Sequence, residues 1–157
     1  MSLQGLRILI SAGPTFEDLD PVRFLGNRSS GKMGFAIASV AAERGAEVTL
    51  VAGPVHLATP AGVHRIDVRS AAQMFDAVMG ALPCDAYIGA AAVADFTPRA
   101  FAGSKLKKVP GTDTLTLELV KTRDILAEVA AHALRPALVV GFAAETDDVA
   151  TYARGKL

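Results

Sequence analysis

The chain carries a single cysteine, Cys84, so no intrachain disulfide is possible. Together with the absence of a recognisable signal peptide, this predicts a reducing, cytoplasmic setting. Neither sign of charge is in excess, because 16 basic and 16 acidic side chains cancel. A neutral chain has no general attraction for nucleic acid or anionic lipid, so any anion site has to be built locally. No apolar run approaches the ~20 residues that a membrane span needs. His56, His64 and His132 share no metal-like spacing with Cys84, which argues against zinc. There is no GxSxG elbow and no Ser–His–Asp arrangement. Catalysis is therefore expected to be electrostatic and positional rather than by an enzyme nucleophile. Internal repeats, linkers and low-complexity segments are also missing.

What is present is a 157-residue chain, 51% hydrophobic, of a size suited to one domain. Its 14 glycines and many alanines suit tight helix–sheet packing and close approach of backbone to a ligand. Met1 to Gln4 reads as a leader without a structural role. Leu6 to Ser11 is a short apolar run of the kind that forms a buried parallel strand. Further strands are expected at Ala46 to Ala52, Val63 to Val68, Ala86 to Val93, Leu115 to Val120 and Ala137 to Phe142. Leu115 to Val120 alternates, so one of its faces should be wet.

Helices are expected between these strands. One starts near Gly31, with Ser29 or Ser30 as its cap, and ends at Gly45. Ser70 and Gln73 form a capping box for a second. A third runs from Arg123 to Ala133, and a fourth opens at Asp147 and is interrupted at Lys156-Leu157, which reads as an incomplete domain. Strands alternating with helices predict a Rossmann-like three-layer α/β fold, a mainly parallel sheet with helices on both faces. Ligands in such folds sit beyond the carboxyl ends of the strands, so the loops after the first, fourth and last strands should carry function. Residues 13–30 and 94–113 read as two long loops.

The first loop holds Gly26-Asn27-Arg28-Ser29-Ser30-Gly31-Lys32-Met33, a near match to GxxxxGK[ST]. It is not a P-loop: Met33 has no hydroxyl for Mg²⁺, and the segment lies well downstream of its strand. Serines, glycines and backbone N–H groups at a helix start still favour an anion, although a plain serine-capped helix would look the same. GxGxxG is absent after the first strand, and no acidic residue follows Ala52-Gly53 to hold a ribose, which counts against an NAD(P)-dependent reductase. The second loop begins Gly89-Ala90-Ala91-Ala92-Val93-Ala94-Asp95-Phe96 and continues to Ser104-Lys105-Leu106-Lys107-Lys108. Its small residues let a ligand reach the backbone, Asp95 suits a hydroxyl or a cation, and the lysines suit a polyphosphate or simply solvent. Gly141-Phe142-Ala143-Ala144-Glu145-Thr146 offers a ring for a base, or a core phenylalanine, and one carboxylate.

Taken in order, these segments resemble phosphopantothenoylcysteine synthetase (phosphopantothenate–cysteine ligase) of the bacterial, CTP-dependent type. The resemblance rests on Ala12-Gly13-Pro14-Thr15 with Glu17, on Asp20-Pro21-Val22-Arg23, and on Asn27 to Gly34. Ala91 to Asp95, Lys105 to Lys108 and Gly141 to Thr146 complete it. It implies a single ligase domain over 1–157 that lacks its C-terminal segment. The implied reaction forms an acyl-cytidylate from CTP and 4′-phosphopantothenate with Mg²⁺, then transfers the acyl group to cysteine. It further implies a homodimer and a functional link to a flavin-dependent phosphopantothenoylcysteine decarboxylase.

By position the resemblance makes Lys105 and Asn27 catalytic, and assigns substrate to Arg23 (across a dimer interface), Asn27, Ala92 and Asp95. The nucleotide falls to Gly13, Ser29, Ser30, Gly31, Gly89, Ala90, Ala91, Asp95, Lys105, Phe142 and Lys156, and the metal to Asp95. The turn Thr122-Arg123-Asp124-Ile125 adds Arg123, Asp124 and Ile125, though it departs from the family's Asn-Pro-Asp. A non-catalytic nucleotide-binding or dimerisation module is the alternative.

Overall fold

The computed structural model describes residues 2–108 and 110–142. Its main sheet is five-stranded and wholly parallel, in the spatial order β5-β4-β1-β6-β9. These strands are β1 (Arg7–Ala12), β4 (Glu47–Ala52), β5 (Val63–Asp67), β6 (Ala86–Gly89) and β9 (Leu138–Gly141). The chain winds outward from β1 to one edge and then returns to build the other half. The order therefore reverses between β1 and β6, which is where such sheets bind ligands.

Alternation along β1 sorts the core into two layers. Ile8, Ile10 and Ala12 pack with Phe35, Ala38 and Ala41 of α1 (Lys32–Glu43) on one face. Leu9 points to the other face, joining Met74, Phe75 and Val78 of α2 (Ala71–Gly80) and Ile125 and Val129 of α3 (Ile125–Ala131). Helices thus cover both faces, as the three-layer reading requires. The Ser70–Gln73 capping box forms as expected, with Gln73 N–H donating to Ser70 Oγ at 3.2 Å. Cys84 is buried, and burial pushes its thiol up from the usual range.

Several expectations are corrected. Residues 13–30 contain an antiparallel hairpin, β2 (Phe16–Asp18) with β3 (Phe24–Gly26). The second long loop contains β7 (Phe96–Pro98), which pairs antiparallel with β8 (Leu119–Lys121), so the strand expected from Leu115 shrinks to its last residues. Strands of three residues carry too little alternation to be seen in sequence. β6 stops at Gly89, not Val93. There the backbone leaves the ladder to run under the hairpin, where Thr15 N–H donates to Ala92 O (3.3 Å) and Ala94 N–H to Thr15 Oγ1 (3.0 Å).

Neither Ser29 nor Ser30 is the α1 cap. That place falls to Gly31, whose φ of 73° is costly for any residue with a Cβ. The supposed leader also has a role: Leu3 packs against the α1-side core and its N–H donates to Arg44 O at 2.9 Å. The helix expected from Asp147 lies outside the described residues.

Candidate active site

The hairpin is fastened to the start of α2 by side chains on both its strands. Phe16 and Phe24 stack with centroids 3.9 Å apart, and the Arg69 guanidinium lies 5.5 Å over each ring. Arg69 also forks onto Asp18 at 2.6 and 2.9 Å, which lowers the Asp18 carboxyl below its usual range. Buried Glu17 accepts from the N–H of Ala71 at 2.8 Å, at the positive end of α2. The hairpin is thus held over the switch point, and it brings Arg23 and Asn27 to the carboxyl edge of the sheet.

On the α3 side of that edge lies a cavity of about 640 Å³. Gly89, Ala91, Asp95, Arg123, Asp124, Ile125 and Phe142 all line it, so seven residues assigned to nucleotide by resemblance share one cavity. Phe142 is 47% exposed, which removes its reading as core. Arg123 lies 3.6 Å over the Phe75 ring and pairs with Glu128 at 3.1 Å. Asp124 caps α3, accepting from Ala127 N–H at 3.0 Å.

On the α1 side, Gly13 (φ 81°) lies against Gly31, where an added Cβ would come within 3.4 Å of Gly13 Cα. This puts the amino end of a twelve-residue helix at the end of β1, with Ser29 and Ser30 just ahead of it. Ala90 faces this side, its Cβ 3.5 Å from where a Gly34 Cβ would lie. Gly13, Ser29, Ser30, Gly31 and Ala90 are therefore near the edge but outside the cavity lining. Asn27 Nδ2 donates to the carbonyls of Ala92 (3.3 Å) and Val93 (3.2 Å), tying the hairpin to the loop after β6.

Arg23 forks onto Asp20 and donates from Nη2 to Leu106 O at 2.7 Å, so in this chain it is engaged within its own fold. Lys105 is exposed, next to that anchor and outside the cavity lining. Lys156 and Glu145 lie outside the described residues. Asp95 is exposed, and among the described residues no group of three or more His, Cys, Asp or Glu could hold a metal by itself. A lone carboxylate is still enough for an Mg²⁺ that arrives on phosphates and keeps its waters.

The cavity residues that sequence reasoning did not single out include two buried hydroxyls. Ser11 and Tyr87, each almost fully buried, face one another at its floor with hydroxyls 3.0 Å apart. The one available signal was a serine in an otherwise apolar strand. Burial pushes Tyr87 up to about 12, against the smaller opposing effect of its bond to Ser11. The fold therefore keeps a proton that the unfolded chain loses near pH 10. The sign follows: stability falls as pH rises from about 10 to about 12, by roughly 2–3 kcal/mol. Tyr87→Phe should flatten that alkaline limb in thermal unfolding. An unchanged limb would remove this assignment.

A second cavity of about 450 Å³ lies between the hairpin, α2 and β7, sharing Lys121, Thr122 and Arg123 with the first.

The sequence from residue 3 to 157 matches the family model for the DNA/pantothenate metabolism flavoprotein C-terminal domain. The chain belongs to this family. It is 58% identical over 156 residues to the coenzyme A biosynthesis bifunctional protein CoaBC of Vibrio parahaemolyticus, covering 99% of this chain and 39% of that one. It is 53% identical to the CoaBC of Escherichia coli, covering 98% of this chain and 38% of the relative. The chain thus spans about two fifths of the curated relatives it matches. Its fold also superimposes on a crystal structure of the C-terminal domain of CoaBC with a TM-score of 0.85. That pair is 46% identical, covering 99% of this chain and 72% of the other. The resemblance read from loop motifs is therefore one of family membership.

Proposed function

We propose that this chain is a phosphopantothenate–cysteine ligase domain of coenzyme A synthesis, acting in the cytoplasm and using CTP. The observation that carries the reading is the switch-point cavity. It gathers small backbone positions (Gly89, Ala91), a carboxylate (Asp95) and an exposed ring (Phe142) on the α3 side of the edge, while the amino end of α1 reaches the same edge from the other face. Membership of a family whose relatives are named for coenzyme A biosynthesis supports it.

In this reading a carboxylate oxygen of 4′-phosphopantothenate attacks the α-phosphorus of CTP and pyrophosphate leaves. The amine of cysteine then attacks the acyl carbon of the acyl-cytidylate, loses its proton, and CMP leaves. Phe142 stacks the base, while backbone at Gly89 to Ala91 admits the nucleotide closely. Arg123, Asp124 and Ile125 bound its far side, and Lys156 completes the set. Gly13, Ser29, Ser30, Gly31 and the amino end of α1 receive phosphate, and Lys105 neutralises charge developing on the triphosphate. Asp95 would hold Mg²⁺, which supplies further charge neutralisation when bound.

Asn27 and Ala92 hold the acyl group for the second step. We further read the active form as a homodimer in which Arg23 serves the neighbouring site, and the domain as linked to a flavin-dependent decarboxylase.

Incubation with CTP, 4′-phosphopantothenate, Mg²⁺ and cysteine should give phosphopantothenoylcysteine and CMP, seen by mass spectrometry. CTP binding without product would leave a non-catalytic nucleotide module instead. Asn27→Asp sets a carboxylate against the carbonyls of Ala92 and Val93. It should slow consumption of the acyl-cytidylate by about tenfold or more, with less effect on its formation. Wild-type rates in both half-reactions would remove the role given to Asn27.

A further inference from the structure

Asp20 stands in the turn between β2 and β3 with its side chain wholly out of solvent. Its Oδ1 accepts from the N–H groups of Val22 and Arg23, both at 2.8 Å, which is enough to close the turn. Its Oδ2 does something else. It accepts from Arg23 Nε (3.0 Å) and Nη2 (2.6 Å), and from the N–H of Leu106 at 3.0 Å, a residue 86 positions away. Arg23 Nη2 in turn donates to the carbonyl of Leu106 at 2.7 Å. One ion pair therefore holds both backbone polar groups of the residue directly after Lys105. A second tie lies just upstream, where Ala102 N–H donates to Leu19 O at 3.0 Å. The segment so held has no helix or strand of its own to fix it. Hydrogen bonds from Arg23 and the backbone keep the Asp20 carboxyl well below the usual range, so it is charged at neutral pH.

We propose that Asp20 is a positioning residue for the activation step: through Arg23 and Leu106 it fixes the place from which Lys105 reaches the triphosphate. The proposal rests on the ligase reading above. It also gives Arg23 a task within its own chain, separate from any across an interface.

Asp20→Asn keeps the volume and the Oδ1 acceptor, but its amide nitrogen cannot accept from Arg23 or Leu106. Trypsin cleavage of the Lys105–Leu106 bond, followed by mass spectrometry, should then speed up by about tenfold. Pyrophosphate release without cysteine should fall about tenfold in kcat, with the KM for CTP changing by less than about threefold. In a Lys105→Gln background, Asp20→Asn should add no further loss, because a residue that acts through Lys105 has nothing left to position. Arg23→Lys, which loses the fork, should likewise speed cleavage of the Lys105–Leu106 bond, and that readout carries the test if Asp20→Asn fails to fold by circular dichroism.

Unchanged cleavage, or losses that add in full to those of Lys105→Gln, would overturn the proposal. A wild-type protein that releases pyrophosphate beside an equally active, folded Asp20→Asn would overturn it alone. A wild-type protein that releases none would overturn the ligase reading and this proposal with it.

Discussion

Lys105→Gln protein is expected to form acyl-cytidylate at least about 100-fold more slowly than wild type, the loss that follows when one preorganised donor is removed from a developing phosphoryl charge. Glutamine keeps most of the stem and can still donate a hydrogen bond, so the loss isolates the positive charge. Lys105 is exposed, and its neighbour Leu106, rather than its own side chain, is tied to the hairpin. Folding should therefore hardly change, with a melting temperature close to wild type. A variant that forms the intermediate at wild-type rate would strike Lys105 from the site. A variant that loses activity only by unfolding would make its role structural.

Gly34→Val should cost at least about 3 kcal/mol and leave little folded protein. A Cβ at Gly34 would stand 2.4 Å from the Cβ of Ala12 and 3.3 Å from its Cα, so α1 would have to lift from β1. Both residues are buried, and neither neighbour is the end of a flexible side chain. The same lift would move the amino end of α1 away from the end of β1, so any protein that survived should also bind nucleotide weakly. Urea unfolding measures the first effect. A variant within about 1 kcal/mol of wild type would mean that the helix and strand are not packed this closely.

The parallel sheet was legible because its buried strands are nearly continuous apolar runs. Leu9, Ile10, Leu50 and Val51 are almost completely inaccessible, which leaves no room for polar alternation. The Ser70–Gln73 box was legible because capping is local chemistry. The hairpin was not. Its strands are three residues long, and its fixing contacts, Arg69 on Phe16 and Phe24 and Glu17 on Ala71, come from parts of the chain far off in sequence.

The site divides the same way. Gly89 ends β6 and Ala91 and Asp95 follow closely in the loop after it, so a shared cavity could be anticipated. That Arg123, Asp124 and Ile125 come to the same cavity depends on where α3 docks, and only the family resemblance pointed there. Ser11 and Tyr87 were passed over as strand interior because their pairing, 76 residues apart, has no signature in sequence.

The most direct test of the ligase reading is pyrophosphate release from 4′-phosphopantothenate and Mg²⁺ with either CTP or ATP, in the absence of cysteine. CTP-dependent release with an accumulating acyl-cytidylate is the predicted result. Release with ATP alone would keep the ligase and overturn the nucleotide. No release with either, and no rise in melting temperature with CTP, would contradict the account.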